Sequence, residues 1–354
     1  MDIAQIDKNL KVETSFTEKD LVFFDVCGEP FSLYGIYYDG SEKKFMRMPR
    51  EVAQTVNDGV NYLCSNTAGG RVRFKTDSPY VAISVKVPNA TKFSHMPVCG
   101  TSGFDMYLYA NGKYCYERTF VPPFDIKGGY ECIHYFEKDG LKDITLNFPL
   151  YNDVSSVYIG VKAGCVLTKG DAYTNKKRVV YYGSSITQGG CASRPGNAYQ
   201  AMLSRKYDCD FLNLGFSGSA RGEKTIADYI ASLDMDVFVY DYDHNAPSEE
   251  HLKNTHLPML EIIRKKNPDI PIVLMTMPFA ANKDSMQRRK EIIRETYETV
   301  LARGDKNIYY SDIGAAAEAF GGDSGSVDFC HPNDIGFLAM AKALGDLIDE
   351  NGIL

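Results

Sequence analysis

Apolar positions alternate with polar or small ones through Tyr80-Val81-Ala82-Ile83-Ser84-Val85-Lys86-Val87. A period of two predicts a half-buried strand. Residues 105–110 and 114–117 are separated by Asn111-Gly112, and Asn-Gly is the strongest short hairpin signal because both turn positions need positive φ. Residues 22–26, 31–38, 71–74, 131–136, 143–148 and 157–163 read as further strands. Short strands, turn signals and almost no helical periodicity predict an all-β, jelly-roll-like sandwich over residues 1–170.

Near Lys169 the pattern changes. Residues 169–177 are polar and read as a linker. Beyond them, short apolar runs at 178–182, 211–214, 236–240, 272–276 and 308–311 suit strands buried on both faces. Helical patterns lie between and after them, at 198–206, 224–233, 249–266, 283–303 and 334–350. The β-α-β-α order predicts a doubly wound (flavodoxin-like), mainly parallel sheet over residues 176–354.

The 354 residues are 44% hydrophobic and 24% charged, with a formal net charge of −7. That balance, with no basic run or basic aromatic stripe, speaks against nucleic acid and anionic membrane as partners. Met1–Asp7 has neither a basic nor an apolar stretch and does not read as a signal peptide. Nine scattered cysteines form no CxxC pair, so reduced thiols in a cytoplasmic protein are expected rather than a disulfide framework or a zinc site. The chain has no tryptophan but 24 tyrosines and 19 phenylalanines. Any platform that stacks on a sugar must therefore use tyrosine or phenylalanine.

The strand at 178–182 runs into Gly183-Ser184-Ser185, presenting a hydroxyl where open α/β sheets hold ligands. A serine is a weak nucleophile until a base takes its proton. His95 and His134 lie in the β half, and His251 and His256 on an amphipathic helix read as solvated surface residues. His331 stands in a loop before the last helix, three residues after Asp328. That spacing lets the carboxylate reach Nδ1 and fix the tautomer, while Pro332-Asn333-Asp334 also fits helix capping. Oxyanion donors would come from neighbouring strand ends. Gly218 follows the second strand and Asn245 the third, although both also fit ordinary turn chemistry.

Ser185, Gly218, Asn245 and His331, in this order and at these loops, resemble the four marker residues of the SGNH (GDSL-type) hydrolase superfamily. Gly183-Ser184-Ser185-Ile186-Thr187 is similar to its first block, with Ser184 where many members carry aspartate. Asn213-Leu214-Gly215-Phe216-Ser217-Gly218 resembles the second block, and Asp328-x-x-His331-Pro332 the last. The third block departs from Gly-x-Asn-Asp, since Asn245 stands in Asp243-His244-Asn245-Ala246. A subgroup with an N-terminal β-domain carries Gly-x-Asp-Leu-Tyr, and Gly103-Phe104-Asp105-Met106-Tyr107 is similar.

The resemblance implies a serine esterase with Ser185 as nucleophile, His331 as base, Asp328 as orienting acid, and Gly218 and Asn245 as oxyanion donors. It implies short-chain, acetyl-type esters on xylo- or manno-oligosaccharides as substrates, and neither metal nor organic cofactor. Two other readings stay open: an acyltransferase using the same serine, and a non-catalytic carbohydrate-binding protein. Arg194 either contacts substrate or ties its loop to the other domain, and the oligomeric state is open.

Overall fold

The computed structural model describes residues 16–279 and 284–354. Met1–Asp7 and Lys283, at the start of a predicted helix, lie outside them. The first half contains β1 (Leu21–Asp25), β2 (Ser32–Tyr34), β3 (Tyr37–Asp39), β4 (Lys44–Met46), β5 (Arg71–Thr76) and β6 (Tyr80–Val87). It continues with β7 (Phe104–Ala110), β8 (Lys113–Phe120), β9 (Gly128–Tyr135), β10 (Lys142–Asn147), β11 (Ser156–Lys162) and β12 (Leu167–Lys169). One antiparallel sheet is ordered β1-β11-β6-β9. A second is ordered β12-β5-β10-β7-β8, with β2 added to β5.

The period of two decides which side chains meet. Val81, Ile83, Val85 and Val87 of β6, with Val157, Ile159 and Val161 of β11, share one core with Phe74, Met106, Ile144 and Leu146 of the other sheet. The hairpin between β7 and β8 turns at Asn111 and Gly112, with φ of 54° and 76°. Residues 31–38, expected as one strand, divide because their two ends find different partners, β2 on β5 and β3 on β4.

Two short helices, Arg50–Val56 and Asp58–Leu63, interrupt the expected all-β stretch. Their Ala53, Val60 and Leu63 pack into the core of the second half with Leu214, Phe216 and Ile226. The stretch expected as a linker is anchored. Lys169 ends β12, and the Tyr173 ring is buried against Tyr34 with the Arg73 guanidinium 4.5 Å above it.

The second half contains β13 (Arg178–Gly183), β14 (Asp210–Gly215), β15 (Val237–Asp241), β16 (Ile272–Met275) and β17 (Ile308–Ser311). They form one parallel sheet, ordered β14-β13-β15-β16-β17. That is the flavodoxin-like order of a doubly wound sheet. Alternate residues of β13 face opposite helix layers, Val180 and Tyr182 on one side and Val179 and Tyr181 on the other. The order in which strands are added reverses at β13, so the switch point at which a crevice is expected lies above Gly183, between Gly215 and Asp241.

Helix Glu249–Lys266 corrects the surface reading of His256, while His251 stays partly exposed. His256 is 1% exposed, stacks on Tyr240 at 4.5 Å and meets Thr296 Oγ1 through Nδ1 at 3.0 Å. Burial lowers its pKa to about 3, so it packs as a neutral core residue. Among the described residues, no helix is long and apolar enough to cross a membrane.

Candidate active site

β13 ends at Gly183, where any side chain would collide with the Asp241 carbonyl oxygen and with Thr187 Oγ1. Ser184 follows in extended backbone. Its N–H donates to Asp241 O at 3.0 Å, and its Oγ caps the next turn by accepting from Ile186 N–H at 3.2 Å. Ser185 then opens the short helix Ser185–Gln188, where amides of the first turn have no intrahelical partner.

Ser185 Oγ lies 2.9 Å from His331 Nε2, and His331 Nδ1 lies 2.8 Å from Asp328 Oδ2. The loop explains the second contact. Asp328 Oδ1 accepts from the N–H groups of Cys330 and His331 at 3.0 and 2.7 Å, and Phe329 turns the chain with φ 61°. Burial raises the Asp328 pKa, but those amides and the imidazole outweigh it and hold the carboxyl below its usual range. The carboxylate selects the Nδ1–H tautomer and leaves the Nε2 lone pair facing the Ser185 hydroxyl. Asn333, on the far side of Pro332, caps the last helix, Asp334–Asn351, by accepting from Ile335 and Gly336.

Gly218, in the turn three residues past β14, is exposed with φ 68°, and a Cβ there would meet nothing within 4 Å. Asn245 closes the turn Asp243–Asn245 after β15. Its Oδ1 accepts from Ala220 N–H at 3.3 Å, which leaves the Nδ2 hydrogens as donors. Ser185, Gly218 and Asn245 thus lie at the carboxyl edge of three adjacent strands, and Asp328 reaches it through His331.

Several residues at this edge carried no local signal. Gln188 Oε1 accepts from Ser217 N–H at 3.0 Å, while its Nε2 donates to Asn66 Oδ1 at 3.1 Å and Leu150 O at 3.2 Å. The Tyr151 hydroxyl donates to Ser185 O at 3.1 Å. Buried Arg47 donates to Gly215 O at 2.7 Å and Leu63 O at 2.7 Å. A cavity of about 230 Å³ beside Gly218 is lined by Tyr62, Phe93, Tyr151, Ser217 and Ser219 among others. Tyr62 is 66% exposed at its rim.

Arg194 ties its loop to the antiparallel half. Its guanidinium lies 2.7 Å from Asp105 Oδ2 and also reaches the Tyr107 hydroxyl. Asp105, fully buried, further accepts from Gly196 N–H at 2.9 Å and from Asn147 Nδ2 at 2.8 Å. The Gly103–Tyr107 motif is therefore a joint between the halves as well as part of a hairpin strand.

Behind Ser185, Asp241 Oδ2 accepts from Thr187 Oγ1 at 2.9 Å. Burial first, and then neighbouring Asp243, push Asp241 up to about 8, so it is a neutral acid at pH 7. Burial likewise raises Asp243 to about 6, against the Met277 amide that it accepts at 3.0 Å.

Residues 176–349 match the GDSL-like lipase/acylhydrolase family, and residues 21–167 match the GxDLY family, the N-terminus of SGNH-hydrolase-type esterases. None of the curated proteins matches in sequence. A crystal structure described as a GDSL-like lipase from Bacteroides ovatus is 29% identical, with a TM-score of 0.83 over 93% of this chain and 97% of its own. The salicylyl-acyltransferase SsfX3 of a tetracycline biosynthetic pathway is 20% identical, with a TM-score of 0.75 over 95% of this chain and 99% of its own. The acetyl xylan esterase Est2A from the rumen bacterium Butyrivibrio proteoclasticus is 14% identical, with a TM-score of 0.56 over 94% and 100%. The last two likenesses are of fold.

Proposed function

This chain belongs to the GDSL-like lipase/acylhydrolase family, and from that premise we propose that it hydrolyses short acyl esters, chiefly acetyl esters of xylo- or manno-type oligosaccharides. One observation carries the reading: the unbroken line Ser185 Oγ, His331 Nε2, His331 Nδ1, Asp328 Oδ2, with contacts of 2.9 and 2.8 Å.

In this reading His331 takes the Ser185 proton as Oγ attacks the ester carbonyl, and Asp328 supports the imidazolium. The Ser185 and Gly218 amides and the Asn245 side chain donate to the tetrahedral oxyanion. As the tetrahedral intermediate collapses to the acyl-enzyme, the carbon–oxygen bond to the sugar breaks and the His331 imidazolium gives its proton to the departing sugar oxygen. Water then attacks the acyl-enzyme by the reverse route. Every step uses side chains and amides of this chain.

The cavity beside Gly218 supports the substrate side of the proposal. Its volume of about 230 Å³ suits a sugar ring better than a long acyl chain, and Tyr62 and Phe93 offer the aromatic faces that a chain without tryptophan must use. Hydrolysis of p-nitrophenyl acetate, butyrate and octanoate, followed by acetylated xylo- and manno-oligosaccharides, tests it. The expected order is acetate fastest and octanoate slowest. Rates that rise with chain length would overturn the acetyl assignment, and full activity in Ser185→Ala would overturn the site.

A further inference from the structure

The catalytic imidazole proposed above has neighbours that the ester mechanism does not use. His95, Cys191 and His331 each offer one ligand atom, and the three atoms lie within 4.8 Å of one another. The His95 and His331 rings are 5.7 Å apart between centroids and tilted by 53°. Cys191 is buried on the loop after the nucleophile helix, where its N–H donates to Pro332 O at 2.9 Å. His95 comes from the antiparallel half, and its side chain is exposed.

Two imidazole nitrogens and one thiol make a borderline-soft donor set, which suits Zn²⁺ and its neighbours and not Mg²⁺ or Ca²⁺. Ligand atoms about 2.0 Å (nitrogen) and 2.3 Å (sulfur) from a tetrahedral ion are separated by roughly 3.3–3.6 Å. From a spread of up to 4.8 Å the set must contract by up to roughly 1.5 Å, and exposed His95 can supply part of this by rotating its side chain.

We propose that His95, Cys191 and His331 form an inhibitory site for a thiophilic divalent cation, with water as the fourth ligand. Binding releases the Cys191 thiol proton to solvent and forms a metal–thiolate bond, with no change of oxidation state. Inhibition follows from the commitments of His331. Nε2 is engaged by Ser185 and Nδ1 by Asp328, so a cation on either nitrogen removes the lone pair that faces the serine or the acid that orients the ring. The word inhibitory rests on the proposed role of His331, but cation binding does not.

A second set, Asp328, Cys330 and His331, also lies within 4.8 Å. Its carboxylate is already occupied, accepting two amides and the imidazole. The site that joins the halves is therefore favoured, and the two sets are separable by substitution.

The test titrates chelator-treated protein with Zn²⁺ while p-nitrophenyl acetate hydrolysis is followed, and with Co²⁺ for a readout independent of activity. Expected are one equivalent bound, inhibition reversed by EDTA, and a thiolate-to-cobalt charge-transfer band. His95→Ala should keep the metal-free rate and weaken Zn²⁺ binding by roughly tenfold or more, the scale of disturbed metal sites. Cys191→Ala should abolish the cobalt band, and Cys330→Ala should leave both binding and band intact. Unchanged Zn²⁺ affinity in His95→Ala, or a cobalt band that survives in Cys191→Ala, overturns the site. Binding through these residues with undiminished hydrolysis overturns the inhibitory role and counts against His331 as base.

Discussion

The Tyr151 hydroxyl donates to the Ser185 carbonyl oxygen across the boundary between the two halves, at 3.1 Å. That oxygen also accepts from the N–H groups of Gly189 and Gly190 at 3.0 and 2.9 Å, so Tyr151 completes its set of donors from outside the turn. Tyr151→Phe keeps the ring and removes one neutral hydrogen bond of about 1 kcal/mol. If Tyr151 positions the nucleophile, kcat on p-nitrophenyl acetate falls by roughly fivefold with KM little changed, since about 1 kcal/mol corresponds to that factor. A lowered unfolding midpoint with unchanged kcat would show that the bond serves folding alone.

Adjacent serines separate chemistry from architecture. Ser185→Ala should lower kcat by roughly 10⁴-fold or more. Ser184→Ala removes only the cap on Ile186, costing about 1 kcal/mol of stability with kcat within a few-fold of wild type. Steady-state rates and thermal unfolding on the same preparations check both. Comparable loss of kcat in the two variants would contradict Ser185 as sole nucleophile.

Asp328→Asn should lower kcat by on the order of 10³–10⁴-fold, because an amide does not enforce the Nδ1–H tautomer. The Asp328 side chain is 40% exposed, so water substitutes in part and the loss should lie toward the lower end. A pH–rate profile of kcat/KM measured alongside distinguishes this loss from unfolding of the loop. A variant with the wild-type rate would remove Asp328 from the proposed machinery.

What the sequence revealed was local. Asp328 and His331 stand three residues apart, and Ser185, Gly218 and Asn245 each follow a short apolar run whose end is readable without its partners. Contacts from the antiparallel half were not readable, because their spacing has no period: Gln188 reaches Asn66 across 122 positions and Arg47 reaches Gly215 across 168. Helices of seven and six residues at 50–56 and 58–63 are too short to establish a 3.6-residue pattern. His256 is different, because its signal was present. It shares the buried face of its helix with Leu252, Met259, Leu260 and Ile263, at offsets of four, three, four and seven, and that periodicity outweighs the polarity of the residue type.

Asp105 and Arg194 give a prediction about the joint between the halves. Asp105→Ala strands the Arg194 guanidinium, the Gly196 N–H and the Asn147 amide together, and removing one partner of a buried pair costs about 3–5 kcal/mol. Arg194→Ala leaves Asp105 with two of its donors and should cost less. At roughly 2–4 °C per kcal/mol for domains of this size, Asp105→Ala should lower the unfolding midpoint by about 10 °C and exceed Arg194→Ala. Equal midpoints for the two variants would show that the carboxylate is not the hub of this network.

Asp241 gives the pH dependence. Its carboxyl ordinarily titrates near 3.8, and burial with Asp243 nearby raises it to about 8 in the folded chain. Between those values the folded chain keeps a proton that the unfolded chain has released, so stability falls as pH rises through that interval and levels off above about 8. Asp243, raised to about 6 by burial, adds a second loss that ends near pH 6. Buried His256, lowered from 6.5 to about 3, adds stability as pH rises toward 7, so the window from about pH 7 to 8 belongs to Asp241. Asp241→Asn keeps an acceptor for Thr187 and carries no titrating proton, so its unfolding midpoint should stay nearly flat across that window while the wild type declines by several degrees. The variant should consequently equal or exceed wild type at pH 8. A wild-type slope retained in Asp241→Asn would mean that Asp241 is already ionised behind Ser185 at neutral pH.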